Sequence, residues 1–289
     1  MAGKAKDVSA LIEEALALEL EDAKEAGRLG FMARALVQAT MPHSKPESNE
    51  FVRTNGFYEL TMLAPTAVGL PYGTYPRLLM AWITTEAVRT KSSELVLGQS
   101  LSEFMKQLGM NPTGGRWGNI ARLKEQMVKL FRTSISCEYS DGERTTLLNV
   151  QTVKSADLWW NPQHPDQAGL WESKLVLNQD FYEEVVKSPV PLDLGVLKAL
   201  SKSPMAIDIY VWASYRRSYA KRITEIPWAG LQMQFGAGYG QDSRGRADFK
   251  RNFLKAANKV ALYDPNLGLA EGENGLILVP KRTHIRKLS

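Results

Sequence analysis

The side chains best suited to contact a polyanion are concentrated in residues 243–260, SRGRADFKRNFLKAANKV. At 100° per residue, this stretch predicts a helix with one apolar and one cationic side. The apolar side holds Phe249, Phe253, Ala256 and Val260, and the cationic side holds Arg244, Arg251, Lys255, Asn258 and Lys259. Arg and Lys neutralise phosphate charge, and Arg and Asn also form paired hydrogen bonds with guanine or adenine. The pattern is typical of a DNA-recognition helix, but an ordinary solvated helix face has it too, and the surroundings must decide.

The basic charge of the chain lies towards its C-terminal end. The 289 residues have a formal net charge of +5, yet residues 214–289 alone hold 14 Lys and Arg against 6 Asp and Glu. Residues 1–110 hold 11 against 13, and residues 111–213 hold 11 against 12. This asymmetry favours a polyanionic partner for the C-terminal part over charge that serves solubility alone.

The length and the 44% hydrophobic content predict about two globular domains. Residues 8–41 are rich in Ala, Leu and Glu at helical spacing, which predicts an N-terminal helix. Residues 41–50 contain two prolines and few apolar side chains, which predicts a flexible or extended linker.

The next block predicts three helices followed by a hairpin. Residues 75–90 and 100–109 form the first two helices, and Ser100 with Glu103 supplies a capping box for the second. A turn containing Gly114 and Gly115 precedes the third helix, residues 116–131, which is apolar on one side and polar on the other. Residues 134–153 then predict a β-hairpin, and a further strand is expected near 174–177. Helix, glycine turn, helix and hairpin together predict a winged helix with the hairpin as its wing.

The C-terminal block has the same order. Residues 192–203 and 204–220 predict helices, residues 222–226 a short strand, and residues 228–235 a short helix. The turn GAGYGQDSRG, residues 236–245, leads into the basic helix, and residues 276–279 and 281–285 supply strand material. The sequence thus predicts a second winged helix in which 243–260 is the recognition helix.

The glycine turn and the other basic clusters each have a competing explanation. Residues 236–240 read G-x-G-x-G, but no strand leads straight into them and no P-loop Lys-Ser/Thr pair follows, so a flexible turn is favoured over a nucleotide site. Residues 216–222 place four cations at a helix C-terminus, where the helix dipole alone would favour them. The basic residues after 280 fit a wing that reaches phosphates or an adjacent groove.

The sequence lacks the residue patterns of disulfide-bonded proteins, metal sites and common hydrolytic enzymes. Cys137 is the only cysteine, so no internal disulfide or thiolate cluster can form, and His43, His164 and His284 are too far apart for a paired-histidine metal motif. No hydrolase, metalloprotease or nicking-enzyme motif occurs. The sequence has no signal peptide and no long apolar run, so we expect a cytoplasmic protein without a membrane partner.

Residues 70–127, together with 226–239 (IPWAGLQMQFGAGY) and the basic helix, resemble the RepA-type replication initiator proteins of broad-host-range bacterial plasmids. The resemblance covers residues 57–285. It implies two winged-helix domains and an initiator that binds directly repeated sites, the iterons, at a plasmid origin. It also implies that such a protein helps to open the duplex, recruits the host initiator DnaA and the replicative helicase, and exists as a homodimer or a monomer.

We therefore predict an α+β, mainly helical chain with two tandem winged-helix domains and an N-terminal helix. Its parts are the N-terminal helix and linker (1–50), winged-helix domain 1 (51–188) and winged-helix domain 2 (189–289), the main DNA-binding domain. The predicted DNA-binding residues are Arg116, Asn119, Arg122, Gln126, Lys129, Arg244, Arg246, Lys250, Arg251, Asn252, Lys255, Lys259, Lys281, Arg282, His284 and Arg286.

Within this set, Arg251 and Lys255, with Asn252 as a third candidate, are expected to read bases, and the other C-terminal residues to contact phosphates. No cofactor, metal or catalytic activity is expected. A transcriptional repressor of the same architecture stays open as an alternative, and so, less favoured, does a DNA nicking or recombination enzyme.

Overall fold

The computed structural model describes residues 40–55, 58–113, 118–140, 145–158, 164, 173–187, 190 and 192–281. The predicted N-terminal helix lies outside these residues, apart from its last two positions. The described part holds eight helices and ten strands, and the strands form three small antiparallel sheets. The chain is therefore an α+β protein in which helices predominate.

The first half of the described chain, the N-terminal unit, combines two hairpins with helices. Its elements are β1 (Glu50–Asn55), β2 (Tyr58–Leu63), α1 (Thr74–Thr90), β3 (Glu94–Val96), α2 (Leu101–Gln107), α3 (Asn119–Phe131), β4 (Ser134–Ser140), β5 (Thr145–Gln151), β6 (Val153–Asp157), β7 (Lys174–Leu177) and α4 (Gln179–Lys187).

The second half, the C-terminal unit, is simpler. Its elements are α5 (Leu194–Leu200), α6 (Pro204–Arg217), β8 (Thr224–Pro227), α7 (Trp228–Phe235), α8 (Ser243–Ala261), β9 (Leu269–Glu271) and β10 (Gly275–Leu278). The three strands pair in the order β8-β10-β9. The helices and strands predicted from residue 192 to 279 are confirmed, and helix α8 has the expected bounds to within one residue.

Local sequence signals set several helix ends. The Oγ atom of Ser100 accepts a hydrogen bond from the Glu103 N–H at 3.2 Å, and the Glu103 carboxylate accepts one from the Gln99 N–H at 2.9 Å. Ser100 thus caps α2 as predicted, whereas Glu103 binds the N–H one residue before the N-cap and not the N-cap N–H of a regular capping box. Gly109, just beyond this helix, has a φ of 74°, a conformation that favours glycine.

The hairpin β4–β5 is present, but its expected role as the wing of the N-terminal unit is wrong. It pairs with β2, giving a four-stranded sheet in the order β1-β2-β4-β5. Leu60 lies opposite Cys137 and Met62 opposite Ile135, and all four side chains are buried on one face. Burial of this apolar set against a second hairpin explains the arrangement. Strands β3, β6 and β7 form a separate sheet in the order β3-β7-β6.

Three apolar clusters stabilise the described structure. One joins α5 to α8 with the sheet β8-β10-β9, and its largest buried side chains include Trp212, Tyr210 and Phe253. A second lies among α1 to α4 and the sheet β3-β7-β6, and a small third one underlies the four-stranded sheet. Leu78 of α1 belongs to the first cluster, although Leu79 beside it belongs to the second. Helix α1 therefore packs against both units.

A buried ion pair connects the two units at this helix. The Arg77 guanidinium on α1 binds the Asp208 carboxylate on α6 in a bidentate manner, with both N–O distances 2.7 Å. The same guanidinium donates hydrogen bonds to the carbonyl oxygens of Met41, Pro42 and Gly73. The Nε2 atom of His43 lies 2.7 Å from Asp208 Oδ2, the oxygen that also accepts a hydrogen bond from Arg77 Nη2. Residues 41–43 of the predicted linker form neither helix nor strand, and these contacts hold them against both units.

Two further contacts from the N-terminal part reach helix α7. Arg53 of β1, a buried side chain, donates a hydrogen bond to the Met233 carbonyl at 3.2 Å, and the Thr40 hydroxyl donates one to the Gln234 carbonyl at 3.0 Å. These carbonyls belong to the last turn of α7, where no intrahelical donor is available. Burial lowers the pKa of Arg53 to about 10, and the nearby Asp208 carboxylate counteracts part of that effect.

The charge on Asp208 is maintained by its partners. Burial acts to raise the pKa of this carboxyl group, but the charge of Arg77 and the hydrogen bonds from His43 and Arg77 outweigh it and lower the pKa below its ordinary value. An ion pair of this kind stabilises the folded state as long as the carboxylate stays ionised.

We expect Arg77→Met to lower the free energy of unfolding by about 3 kcal/mol, because removal of one partner leaves a buried charge uncompensated. Urea titration followed by circular dichroism measures this change. Arg89→Met is the matched control: Arg89 also lies on α1 and pairs with a carboxylate, that of Glu86, but it is two-thirds exposed, so a much smaller loss is expected. Equal losses in the two variants would contradict the assignment.

The Asp208 contribution should also depend on pH. Because its pKa is lower in the folded state, its stabilisation is complete above the unfolded-state value of about 4 and disappears as the pH falls through the folded-state value. The difference in unfolding free energy between the unmodified protein and Asp208→Asn should therefore be constant at neutral pH and shrink below about pH 4. A difference that stays constant down to about pH 3 would contradict this prediction.

Candidate nucleic-acid interface

Helix α8 has the two faces predicted for it. Its N-cap is Asp242, whose carboxylate accepts a hydrogen bond from the Gly245 N–H at 2.8 Å. The predicted apolar side chains are buried, together with Ala257. The opposite face is open to solvent and carries the exposed cations Arg244, Arg251 and Lys255, and Arg246 is exposed in the first turn of the helix.

Aromatic rings fix this helix to the helix before it. The Phe253 ring meets the rings of Phe235 and Trp228 on α7, with centroid distances of 5.4 and 5.9 Å, and the Phe249 ring meets that of Tyr239 at 5.5 Å. All three pairs are close to edge-to-face, the arrangement that the aromatic quadrupole favours. The buried side of α8 is thus anchored in the C-terminal core, which leaves its cationic side facing outwards.

The glycine-rich turn allows α7 and α8 to approach closely. A Cβ atom on Gly245 would lie 2.1 Å from the Gly240 carbonyl oxygen, a distance that no side chain tolerates. The Gln232 side chain of α7 donates a hydrogen bond to the same carbonyl at 2.8 Å. This close contact gives the turn a structural purpose, in agreement with its interpretation as a turn rather than a nucleotide site.

The predicted DNA-binding residues of the C-terminal unit differ in their exposure and in their contacts with other side chains. Arg251 is 72% exposed and forms an i,i+3 pair with Asp248 at 2.8 Å. Lys250 lies 2.7 Å from Glu271 on β9 and 5.0 Å from the centre of the Trp228 ring. Asn252 and Lys259 are half-buried at the flank of the helix, and Lys281 is exposed. Arg282, His284 and Arg286 lie outside the described residues.

Helix α3 presents fewer cations than the sequence predicts. Arg122 is exposed, whereas the Asn119 side chain accepts hydrogen bonds from Thr113 and donates one to the Asn111 carbonyl. Asn119 thereby closes the turn before the helix. Arg116 lies outside the described residues.

Gln126 and Lys129 do not lie on an exposed face of α3, and the prediction is wrong there. Gln126 is 3% exposed and accepts a hydrogen bond from the Tyr72 N–H at 2.8 Å. Lys129 is 7% exposed, pairs with Glu125 at 2.7 Å, and places its ammonium group 5.0 Å from the centre of the Tyr72 ring. The segment that contains Tyr72 covers this side of the helix, which helical periodicity alone could not indicate.

The basic cluster at the end of α6 is divided between core and surface. Arg217 forms a fully buried ion pair with Asp264 and also donates hydrogen bonds to the carbonyl oxygens of Ala213 and Asn266. Arg216 is also buried, near the rings of Trp212 and Tyr219. These two cations therefore serve ion pairing and packing in the core, a role that differs from the helix-dipole explanation given for this cluster.

The sequence analysis missed Glu271 and Trp228 as neighbours of Lys250. Neither has a helical or strand periodicity that relates it to residue 250, since they come from different elements.

Among the described residues, no three His, Cys, Asp or Glu side chains are grouped so that they could hold a metal ion. Nor does any helix in the described ranges have the length and hydropathy needed to cross a membrane.

Comparison with known structures supports this fold. A crystal structure titled RctB domains 2-3, RctB-155-483, has a TM-score of 0.52 at 11% sequence identity and covers 84% of this chain and 94% of that one. A structure of selenomethionine derivatives of domains 2 and 3 of RctB has a TM-score of 0.55 at 8% identity with the same coverage. At such low identity the similarity concerns the fold alone.

Sequence comparison identifies the family. No curated protein matches the chain in sequence. Residues 70–226, more than half of the chain, match the family described as plasmid encoded RepA protein. The match begins before α1 and ends in β8, so it includes both sides of the Arg77–Asp208 contact. The chain thus belongs to the RepA family of plasmid replication proteins, as its motifs had indicated.

Proposed function

We propose that the protein initiates plasmid replication by binding repeated double-stranded DNA sites at the origin, the iterons, through two winged-helix domains. The observation that carries the proposal is the exposed cationic face of α8 on a helix whose other side is anchored in the core. Membership of the RepA family supports the replication role. Strand opening and recruitment of DnaA and the replicative helicase belong to the same proposal, as does a homodimer.

The order of elements supports the winged-helix assignment. In the C-terminal unit, helix α6 is followed by β8, α7, α8, β9 and β10, and the sheet order is β8-β10-β9. In the N-terminal unit, α1 is followed by β3, α2 and α3, and later by β6 and β7, with the sheet order β3-β7-β6. In both sheets, the strand that comes third along the chain lies between the other two. The hairpin β4–β5 is an insertion between α3 and this wing.

In this arrangement α8 enters the major groove and the strands β9 and β10 form the wing beside it. Arg251 and Lys255 lie on the outermost face of the helix and read bases, with Asn252 at the flank as a third candidate. Arg244 and Arg246 near the N-terminus, Lys259 near the C-terminus and Lys281 beyond the wing neutralise phosphates. The remaining basic residues predicted after Lys281 would extend this contact.

The N-terminal unit contributes a weaker DNA contact. Arg122 is the exposed cation among the predicted side chains of α3 that the structure describes, and Arg116 belongs to the turn before this helix. Gln126 and Lys129 are excluded as DNA contacts because their side chains are buried. The C-terminal unit therefore supplies most of the affinity.

We also propose that the protein has no catalytic activity of its own and needs no cofactor. The cations of α8 bind DNA without bond cleavage, since positioning and charge neutralisation suffice for origin recognition. The proposal makes the protein a DNA-binding initiator rather than a nicking or recombination enzyme.

Arg251→Ala should weaken binding to origin DNA by about 1–3 kcal/mol and relax the preference at one base-pair position, because a side chain that reads a base contributes mainly to specificity. Footprinting of the protein on its plasmid origin defines the duplex, and fluorescence anisotropy with that duplex and with substituted duplexes measures both effects. A plasmid that depends on this gene should also be lost more often with the variant.

Arg244→Ala is the matched control on the same helix. As a phosphate contact it should weaken binding to origin and random duplexes alike, and lower the slope of log K against log salt by about 0.9. An Arg251 variant that bound every duplex as the unmodified protein does would refute the base-reading role. A plasmid that still replicated without the gene would favour the repressor alternative.

Supercoiled origin plasmid incubated with the protein and magnesium should stay supercoiled, because no covalent step is proposed. Agarose gel electrophoresis distinguishes supercoiled, nicked and linear forms. A site-specific nickase of known activity on the same plasmid controls for detection. Nicked or linear product that appears with the protein and disappears on addition of EDTA would overturn the non-enzymatic assignment.

A further inference from the structure

Lys250 differs from Arg251, whose partner Asp248 lies on the same helix, because its ammonium group contacts side chains of two other elements. Its Nζ atom lies 2.7 Å from an oxygen of Glu271 and 5.0 Å from the centre of the Trp228 ring. Glu271 is the last residue of β9, and Trp228 is the first residue of α7. A single side chain thus connects α8 with the wing and with the start of the preceding helix.

The pairing with Glu271 removes the net charge that a phosphate would attract. An ammonium group and a carboxylate at hydrogen-bond distance form a neutral pair, and a neutral pair releases no counterion when DNA binds. The indole face gives the cation a second favourable neighbour. Lys250 therefore has less to gain from a phosphate than Arg244 or Lys255, which are exposed.

The wing needs such a contact because it is short. Strand β9 is three residues long and lies at the edge of its sheet, where it pairs with β10 alone. The turn after it is held on the sheet side by Glu225, whose carboxylate accepts a hydrogen bond from the Asn274 N–H at 2.9 Å. Lys250 holds Glu271, at the start of the same turn, from the helix side. The turn thus lies between two charged anchors.

We propose that Lys250 and Glu271 form a brace that sets the angle between the recognition helix and the wing, and that Lys250 is a positioning residue rather than a DNA contact. This inference rests on the proposed function, since the angle matters only if both elements meet one DNA duplex. A carboxylate near DNA ordinarily weakens binding by repulsion. In the brace, the Glu271 carboxylate instead favours binding.

A brace role and a phosphate-contact role of Lys250 predict opposite changes in DNA affinity for Glu271→Gln. If Lys250 is part of a brace, Glu271→Gln and Lys250→Gln should each weaken binding about two- to fivefold, the range expected when a partly exposed ion pair is lost. The double variant should bind no more weakly than either single variant, because all three lack the same contact. If Lys250 contacts a phosphate, Glu271→Gln should instead strengthen binding by freeing the lysine and removing a negative charge.

Anisotropy titration of full-length protein against a labelled duplex from the footprinted origin provides the test. Glu273→Gln is the matched control, because it removes the same charge from an exposed residue two positions further along the turn. This control should leave binding unchanged or strengthen it. Lys250→Arg should retain binding, since Arg can pair with Glu271 and lie over Trp228. Thermal unfolding of each variant confirms that the core is intact.

The outcomes separate the brace from the proposed function. Weaker binding by both single variants, without further loss in the double variant, supports the brace. Unchanged or tighter binding by Glu271→Gln, or additive losses in the double variant, overturns the brace and leaves origin binding in place. Failure of the unmodified protein to bind the origin duplex overturns the proposed function and the brace together.

Discussion

The bidentate ion pair between Arg77 and Asp208 is the contact on which the relative placement of the two units depends. Helix α3 packs on α1, α1 on α6, and α6 on α8, so Arg77 and Asp208 lie on the two middle helices of a continuous series. Each end of the series carries a candidate recognition helix. Because the Arg77 guanidinium also binds three carbonyl oxygens, α1 and α6 have little freedom to shift relative to each other. The spacing between the two candidate recognition helices is therefore set by contacts inside the protein.

Arginine has two different roles in this protein, one in the core and one on the surface, and residue type alone does not distinguish them. Arg77 and Arg217 are buried and paired with carboxylates, whereas Arg244 and Arg251 face solvent on α8. The exposed pair could be predicted, since the apolar residues of α8 recur at helical spacing and assign the cations to the other face. The buried pair could not, because their partners Asp208 and Asp264 are distant in sequence and belong to no motif.

The same distinction explains where the sequence prediction of fold and site succeeded. Caps, glycine turns and strand alternation are local, and they correctly predicted α2, α8 and the hairpin β4–β5. Which surface covers an element is a long-range property. Tyr72 covers Gln126 and Lys129, and β2 receives the hairpin, and neither contact has a signal in the spacing of the residues involved. The exposure of the candidate residues on α8 was therefore predicted better than that of the candidates on α3, whose flank is occupied by another segment.

The four-stranded sheet has a consequence for how the chain folds. Its two hairpins are local and can form early, but Leu63 pairs with Ser134, and the chain between them contains α1, α2 and α3. Closing such a long loop costs entropy before the pairing is gained, so contacts of this kind slow folding. We therefore expect helix packing to precede completion of the sheet. Until then β2 and β4 would expose open edges, which are the kind of surface on which chains aggregate.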